Sequence, residues 1–140
     1  MKVVLDADVL IGALDGNDPH HHRARTLFRR WRHRDTSLLI SVVNLTEVLV
    51  APATERQRLR AAREAIDALG VVTHRPNEAV GVVAARLRGA HPISLPDAYC
   101  LATARSAGAA IASFDQRVLH AAGLEGIPAA SAEARRPRHR

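Results

Sequence analysis

The sequence predicts an α/β fold: one domain with a short central parallel sheet flanked by helices. Short runs that are apolar on both faces alternate with amphipathic helical stretches, the pattern of a buried parallel sheet covered by helices. The 140 residues are the length of one ordinary domain. The core must also be built from Ala, Leu, Val and Ile, because 26 residues are Ala and only Phe28, Trp31, Tyr99 and Phe114 are aromatic. That composition favours helices.

Each element follows from local chemistry. KVVLD at 2–6 is an apolar run closed by a carboxylate and followed by the helix-like DVLIGAL, a strand feeding a helix. DGNDP at 15–19 is turn chemistry, and Ala24, Leu27, Phe28 and Trp31 then fall at i, i+3, i+4 and i+7 of an otherwise Arg-rich helix. SLLISVV at 37–43 predicts the second strand, and NLTEVLVA a helix capped by Asn44 and ended by Pro52. Leu59, Ala62, Ile66 and Leu69 mark a helix stopped by Gly70, before a short third strand, VVTH, at 71–74. Val80, Val83, Ala84 and Leu87 repeat the helical stripe. SLPDAYCLATARSAG is a helix with Ser94 as cap, Pro96 in its first turn and Gly108 just past its end. AAIASF is the fourth strand, and Asp115 opens a last short helix to about His120. RRPRHR at 135–140 has no apolar residue and is expected to be a disordered basic tail.

Composition removes several classes. No apolar run is long enough to span a membrane and no leader pattern follows Met1, so the chain reads as soluble and cytoplasmic with no membrane partner. Cys100 is the sole cysteine, which excludes an internal disulfide or a multi-cysteine zinc site; it reads as a core residue. A net charge of +6 points to a polyanionic partner, yet four of the positive charges are Arg135, Arg136, Arg138 and Arg140. Residues 1–134 carry only +2. Trimming the tail is expected to weaken binding of that polyanion mainly at low salt.

The acidic residues then fall into a pattern. Asp6 ends the first strand, Glu47 lies in the first turn of the helix after the second, and Asp115 sits just past the fourth, so all three belong to the carboxyl-end rim where ligands of such sheets bind. Asp97 joins them if its helix starts on the same rim. Clustered carboxylates raise one another's pKa, and a hard divalent cation, Mg²⁺ or Mn²⁺, relieves the repulsion. The competing reading is that each is a helix cap: Ser94 with Asp97 has the capping-box spacing, Asn44 with Glu47 nearly does, and Asp6 and Asp115 each precede a helix. Against it, Glu47 shares a face with Val43, Val50 and Ala51, and Asp97 with Cys100, Leu101 and Ala104, so each crowns an apolar ridge.

VVLDADVLIGAL, NLTEVL, LPDAYCLATA and SFDQRVL resemble the four acidic blocks of the PIN-domain ribonucleases, in the small single-domain form of VapC-type toxins, over Lys2 to about Pro128. NDPHHHRARTLF is similar to that family's segment after the first helix. The resemblance implies a PIN-like nuclease domain over 1–134 and a metal-dependent endoribonuclease. Its Mg²⁺, or Mn²⁺, would be held by Asp6, Glu47, Asp97 and Asp115, with Ser113 as a polar neighbour of the last and Asp97 or Glu47 orienting the attacking water. It also implies an RNA substrate, a cognate antitoxin whose C-terminal segment lies across the active-site groove, and a homodimer formed through helices.

Two departures stand out. Asp8 replaces the small polar residue more common in the family and is either the cap of the first helix or a direct or water-mediated ligand. No acidic residue follows Asp115, where Gln116, Arg117 and Val118 stand, which leaves the number of metals open.

Other features have plainer readings. His20, His21 and His22 diverge on a helix and do not make a metal site. The Arg-rich faces at 23–34 and 56–63 form solvated i, i+4 pairs such as Arg60 with Glu64, or bind phosphate. A haloacid-dehalogenase-like phosphatase with Asp6 as nucleophile would account for DADVL, but Lys2 is the only lysine and no late acidic pair exists. A non-enzymatic RNA-binding or partner-binding module would use the basic surface with the carboxylates as caps.

Overall fold

Lys2–Leu5 (β1) pairs on both edges, with Val3 opposite Leu38 on one side and Ala110 on the other. Around it Ser37–Ser41 (β2), Val71–His74 (β3) and Ala110–Ala112 (β4) form a four-stranded sheet in the order β3-β2-β1-β4, every pair parallel. The structure, a computed structural model, describes residues 1–131; the basic tail expected at 135–140 and the boundary at 134 lie outside them.

Successive β1 side chains point to opposite faces, so this strand feeds two cores. Val3 and Leu5 join Val9, Leu27, Trp31 and Ile40 under Ala7–Leu14 (α1), His21–His33 (α2), Val42–Leu49 (α3) and Arg56–Ala68 (α4). Val4 joins Leu87, Leu101, Ile111 and Val118 under Glu78–Ala90 (α5), Leu95–Ala107 (α6) and Gln116–Leu124 (α7). The α2 stripe Ala24, Leu27, Phe28 and Trp31 is buried as its spacing predicts. α1 crosses α2 so closely at Gly12 that a Cβ there would stand 3.2 Å from Ala24 Cβ. Gly108 ends α6 in the left-handed conformation, φ +62°. No helix among the described residues is long and apolar enough to cross a membrane.

The structure corrects the sequence reading at three boundaries. β2 stops at Ser41, whose hydroxyl accepts the Val43 N–H at 3.3 Å, so Ser41 and not Asn44 caps α3. The serine wins because it is the last residue of the strand and directly precedes the helix, and it leaves Asn44 inside the helix, fully buried. α7 runs past His120 to Leu124. Beyond it Pro128–Ala130 docks along β4: the Ile111 N–H donates to Pro128 O at 2.8 Å, and the Ala130 N–H to Ile111 O at 2.7 Å.

Glu125 at the end of α7 fastens the second layer. Its Oε2 lies 2.8 Å from His91 Nε2, and its Oε1 accepts from Arg86 and Arg105, each at 3.1 Å. These three partners, chiefly His91, hold its carboxyl down to about 2. The two arginine side chains are 52% and 38% exposed, so solvent screens their share. Glu125→Gln is therefore expected to cost about 1–2 kcal/mol at pH 7. Because the folded pKa lies below the ordinary carboxylate value, this stability is present above about pH 4.5 and drains as pH falls toward 2. Denaturant unfolding of both proteins at pH 7 and pH 3 checks this, and the gap between them should narrow at the lower pH.

Candidate active site

All five sequence-predicted site residues come together at the carboxyl-end rim, and each is fixed by a bond that its own segment dictates. Asp6 follows β1 and caps α1, its Oδ1 accepting the Ala7 N–H at 2.8 Å. Its Oδ2 accepts the Ser113 hydroxyl at 2.7 Å, and Ser113 Oγ accepts the Asp115 N–H at 3.0 Å. Asp115 caps α7 through Oδ1, which takes the Arg117 N–H at 2.8 Å. Asp97 completes a capping box: its N–H donates to Ser94 Oγ at 3.2 Å, and its Oδ2 accepts the Ser94 N–H at 3.1 Å. Glu47 lies in the second turn of α3, and its Oε1 accepts from Asn44 Nδ2 at 3.2 Å.

The capping reading thus holds for one oxygen each of Asp6, Asp97 and Asp115, and fails for Glu47, whose helix is capped by Ser41. Among the described residues Glu47 Oε2, Asp97 Oδ1 and Asp115 Oδ2 accept no hydrogen bond, because one oxygen of each is spent on the scaffold and the other is left over. Asp8 repeats the division. It does not cap α1, since Asp6 does; instead its Oδ2 accepts the Phe114 N–H at 3.0 Å, and its Oδ1 is buried with no partner.

The apolar ridge expected beneath the carboxylates holds for Asp97, whose neighbours Cys100, Leu101 and Ala104 are fully buried. It fails for Glu47: Val50 is 65% exposed and Ala51 is also exposed, because α3 turns that flank to solvent at the helix end.

The electrostatics tie the five acids into one unit. Burial pushes the Asp6 carboxyl up to about 7, and the charges of Asp8 and Asp97 add to the rise against the hydrogen bond from Ser113. Asp8 is raised chiefly by burial, with Asp115 adding to it. Glu47 is raised by partial burial and by Asp97 and Asp8. Cys100, a core residue as expected, is pushed well up by burial and then by the charges of Asp6, Asp97, Asp8 and Glu47, so its thiol stays protonated beneath the site.

Among the described residues no three His, Cys, Asp or Glu side chains form a group ready to hold a metal ion. The donors nevertheless fit one kind of ion. They are all hard oxygens, four carboxylates keep an uncommitted oxygen, and Asp8 Oδ1 is orphaned. This suits a cation that retains several waters and touches one or two carboxylates. The histidine run contributes nothing to that set: the His20 ring stacks on Phe114 at 4.6 Å, His21 Nδ1 lies 2.8 Å from Gly12 O, and His22 is exposed.

Three supporting residues escape sequence reasoning. Asn44 Nδ2 also donates to Pro96 O at 3.1 Å, so one amide sets Glu47 against the start of α6. The Ser131 hydroxyl donates to Ser113 O at 2.8 Å from the docked C-terminal segment. Asp8 secures the Phe114 N–H across the sheet. Asp8 alone carried a signal, as a fifth acid beside Asp6.

An Asp6 carboxyl that ionises near pH 7 when folded and near 3.8 when unfolded binds extra protons in the native state between those values. The metal-free protein therefore loses up to about 4 kcal/mol of stability as pH rises through that window. Thermal melts in EDTA should show a lower Tm at pH 8 than at pH 5, and Asp6→Asn should flatten the slope. A wild-type Tm that rises with pH would contradict the burial of this acid.

A family model described as PIN domain matches residues 3–124. No curated protein sequence matches the chain. Solved structures share the fold. A toxin-antitoxin complex from Klebsiella pneumoniae aligns with a TM-score of 0.72 and 21% identity over 91% of this chain and 97% of that one. VapC20 of Mycobacterium tuberculosis, a sarcin-ricin loop cleaving toxin, aligns with a TM-score of 0.69 and 19% identity over 85% and 94%. FitAcB from Neisseria gonorrhoeae gives 0.63 and 17% over 91% and 95%. With four acidic segments converging on one rim of a parallel sheet and a family model spanning nearly all of it, the chain belongs to the PIN domain family.

Proposed function

We propose that this protein is a metal-dependent endoribonuclease, the toxin of a VapC-type toxin-antitoxin pair, and that Asp6, Glu47, Asp97 and Asp115 hold its Mg²⁺ or Mn²⁺. The observation that carries the reading is the Asp6 carboxyl: buried, raised to about 7 and pressed by Asp8 and Asp97, it is a charge that a cation stabilises. When bound, that cation supplies Lewis acidity toward a phosphate oxygen and toward an attacking water.

The chain's own residues do the rest. Ser113, wholly buried, is a positioning residue: it holds Asp6 and the Asp115 backbone in one arrangement. Asn44 orients Glu47. One carboxylate, Asp97 or Glu47, each with one uncommitted oxygen, orients the attacking water or takes its proton. The phosphatase alternative needs a lysine beside the Asp6 nucleophile, but the only lysine, Lys2, stands at the opposite end of β1.

The partner reading rests on the relatives. The Klebsiella structure is a toxin-antitoxin complex. A cognate antitoxin for this chain extends that likeness; its place across the active-site groove and a homodimer formed through helices are what the family resemblance implies, and the cytoplasm is the compartment in which we place the pair.

Cleavage of single-stranded RNA by the purified protein is expected with Mg²⁺, to stop with EDTA, and to fall by about 100-fold or more in Asp97→Asn. Cleavage that survives both chelation and substitution would falsify the metal-carboxylate mechanism. RNA binding without any cleavage would favour the non-enzymatic module.

A further inference from the structure

Beside the acidic pocket lies a cleft of about 600 Å³ lined by Arg88, Ile93, Ser94, Asp97, Asp115 and Arg117. It sits between the end of α5 and the starts of α6 and α7. Its two arginines differ from most others on this side of the fold. Arg86 and Arg105 are neutralised by Glu125. Arg88, two residues from Arg86 and so on a different face of α5, makes no ion pair or side-chain hydrogen bond among the described residues, and neither does the side chain of Arg117. Both share the cleft with Asp97 and Asp115, yet neither guanidinium comes within 4 Å of a carboxylate oxygen. Two exposed cations that stand beside two acids without pairing with them keep a gap between opposite charges.

We propose that Arg88 and Arg117 bind the backbone phosphate next to the one being cut, so that the cleft is a subsite for single-stranded RNA. The choice of RNA rests on the nuclease reading. A free phosphate gains little here, since Asp97 and Asp115 repel it as the arginines attract it. A polyphosphodiester suits both banks: one phosphate sits against the cation-loaded acids while its neighbour accepts from the guanidinium forks. The cleft has the size of a site for one small ligand, such as a nucleotide. This adds a phosphate contact outside the Arg-rich stretch at 56–63, in which Arg60 pairs with Glu64 at 3.9 Å.

The test is fluorescence anisotropy of a labelled single-stranded 12-nucleotide RNA, titrated with the Asp6→Asn chain at 50–200 mM salt. Arg88→Ala and Arg117→Ala are each expected to weaken binding several-fold at low salt. Each should also make the plot of log K against log salt shallower, and the double variant should do so by about 0.7, the share of the one phosphate they hold together on a single strand. Arg60→Ala should leave the slope unchanged, and millimolar inorganic phosphate should not displace the RNA. Several outcomes overturn the proposal: no RNA binding by the parent chain, an unchanged slope in both cleft variants, an equal change in Arg60→Ala, or loss of binding to a protein partner with RNA binding intact. Failure of the nuclease reading shows separately, as no cleavage by wild-type protein while the cleft variants still change the slope.

Discussion

The hydroxyl of Ser113 stands between the two halves of the acidic rim. It donates to Asp6 at the end of the central strand and accepts from the Asp115 backbone at the end of its neighbour, so one oxygen atom fixes two segments 107 residues apart. Without that bond Asp6 would lose the main interaction favouring its ionised form, and the loop carrying Asp115 would lose its anchor. The parallel pairing of β1 with β4 puts the two strand ends side by side, and the hydroxyl turns that proximity into a defined geometry. Everything proposed for the chemistry relies on this placement.

The division of labour within each carboxylate has a wider meaning. A helix start needs an acceptor for its unpaired N–H groups, and a cation needs oxygen donors; a carboxylate has two oxygens and can serve both. Asp97 and Asp115 each commit one oxygen to a helix start and keep the other uncommitted. Capping therefore preorganises the acids instead of competing with their use, because the scaffold oxygen locks the rotamer while the other faces outward. Asp6 is the exception, with both oxygens engaged, and it is also the acid whose ionisation is most strongly opposed.

What could be read from the sequence was whatever local chemistry decides. The strands announce themselves as short apolar runs, α6 by Ser94, Pro96 and Gly108, and the acidic rim by the position of each carboxylate just past a strand or early in a helix. The errors came where two local signals competed or where the deciding contact is distant. Ser41 and Asn44 are both good caps, and only the end of pairing between β2 and β3 selects the serine. Asn44 bonds Pro96 across 52 positions, and Asp8 bonds Phe114 across 106. No window along the chain contains those pairs. Charge patterning shows the same limit: the Arg-rich stretch at 56–63 is conspicuous in the sequence, whereas the lack of an ion pair at Arg88 and Arg117 is visible only in the fold.

The docking of Pro128–Ala130 along β4, with Ser131 bonded to Ser113 O, also determines how the molecule can be handled. The chain beyond Ser131 departs from beside the acidic rim, whereas Met1 precedes the opposite, amino-terminal end of the same sheet. An affinity tag, fluorophore or surface linkage at the amino end leaves the rim open. The same group fused directly after Ser131 would begin one hydrogen bond away from the residue that holds Asp6, and a histidine tag there would put metal-binding side chains within reach of an acidic pocket.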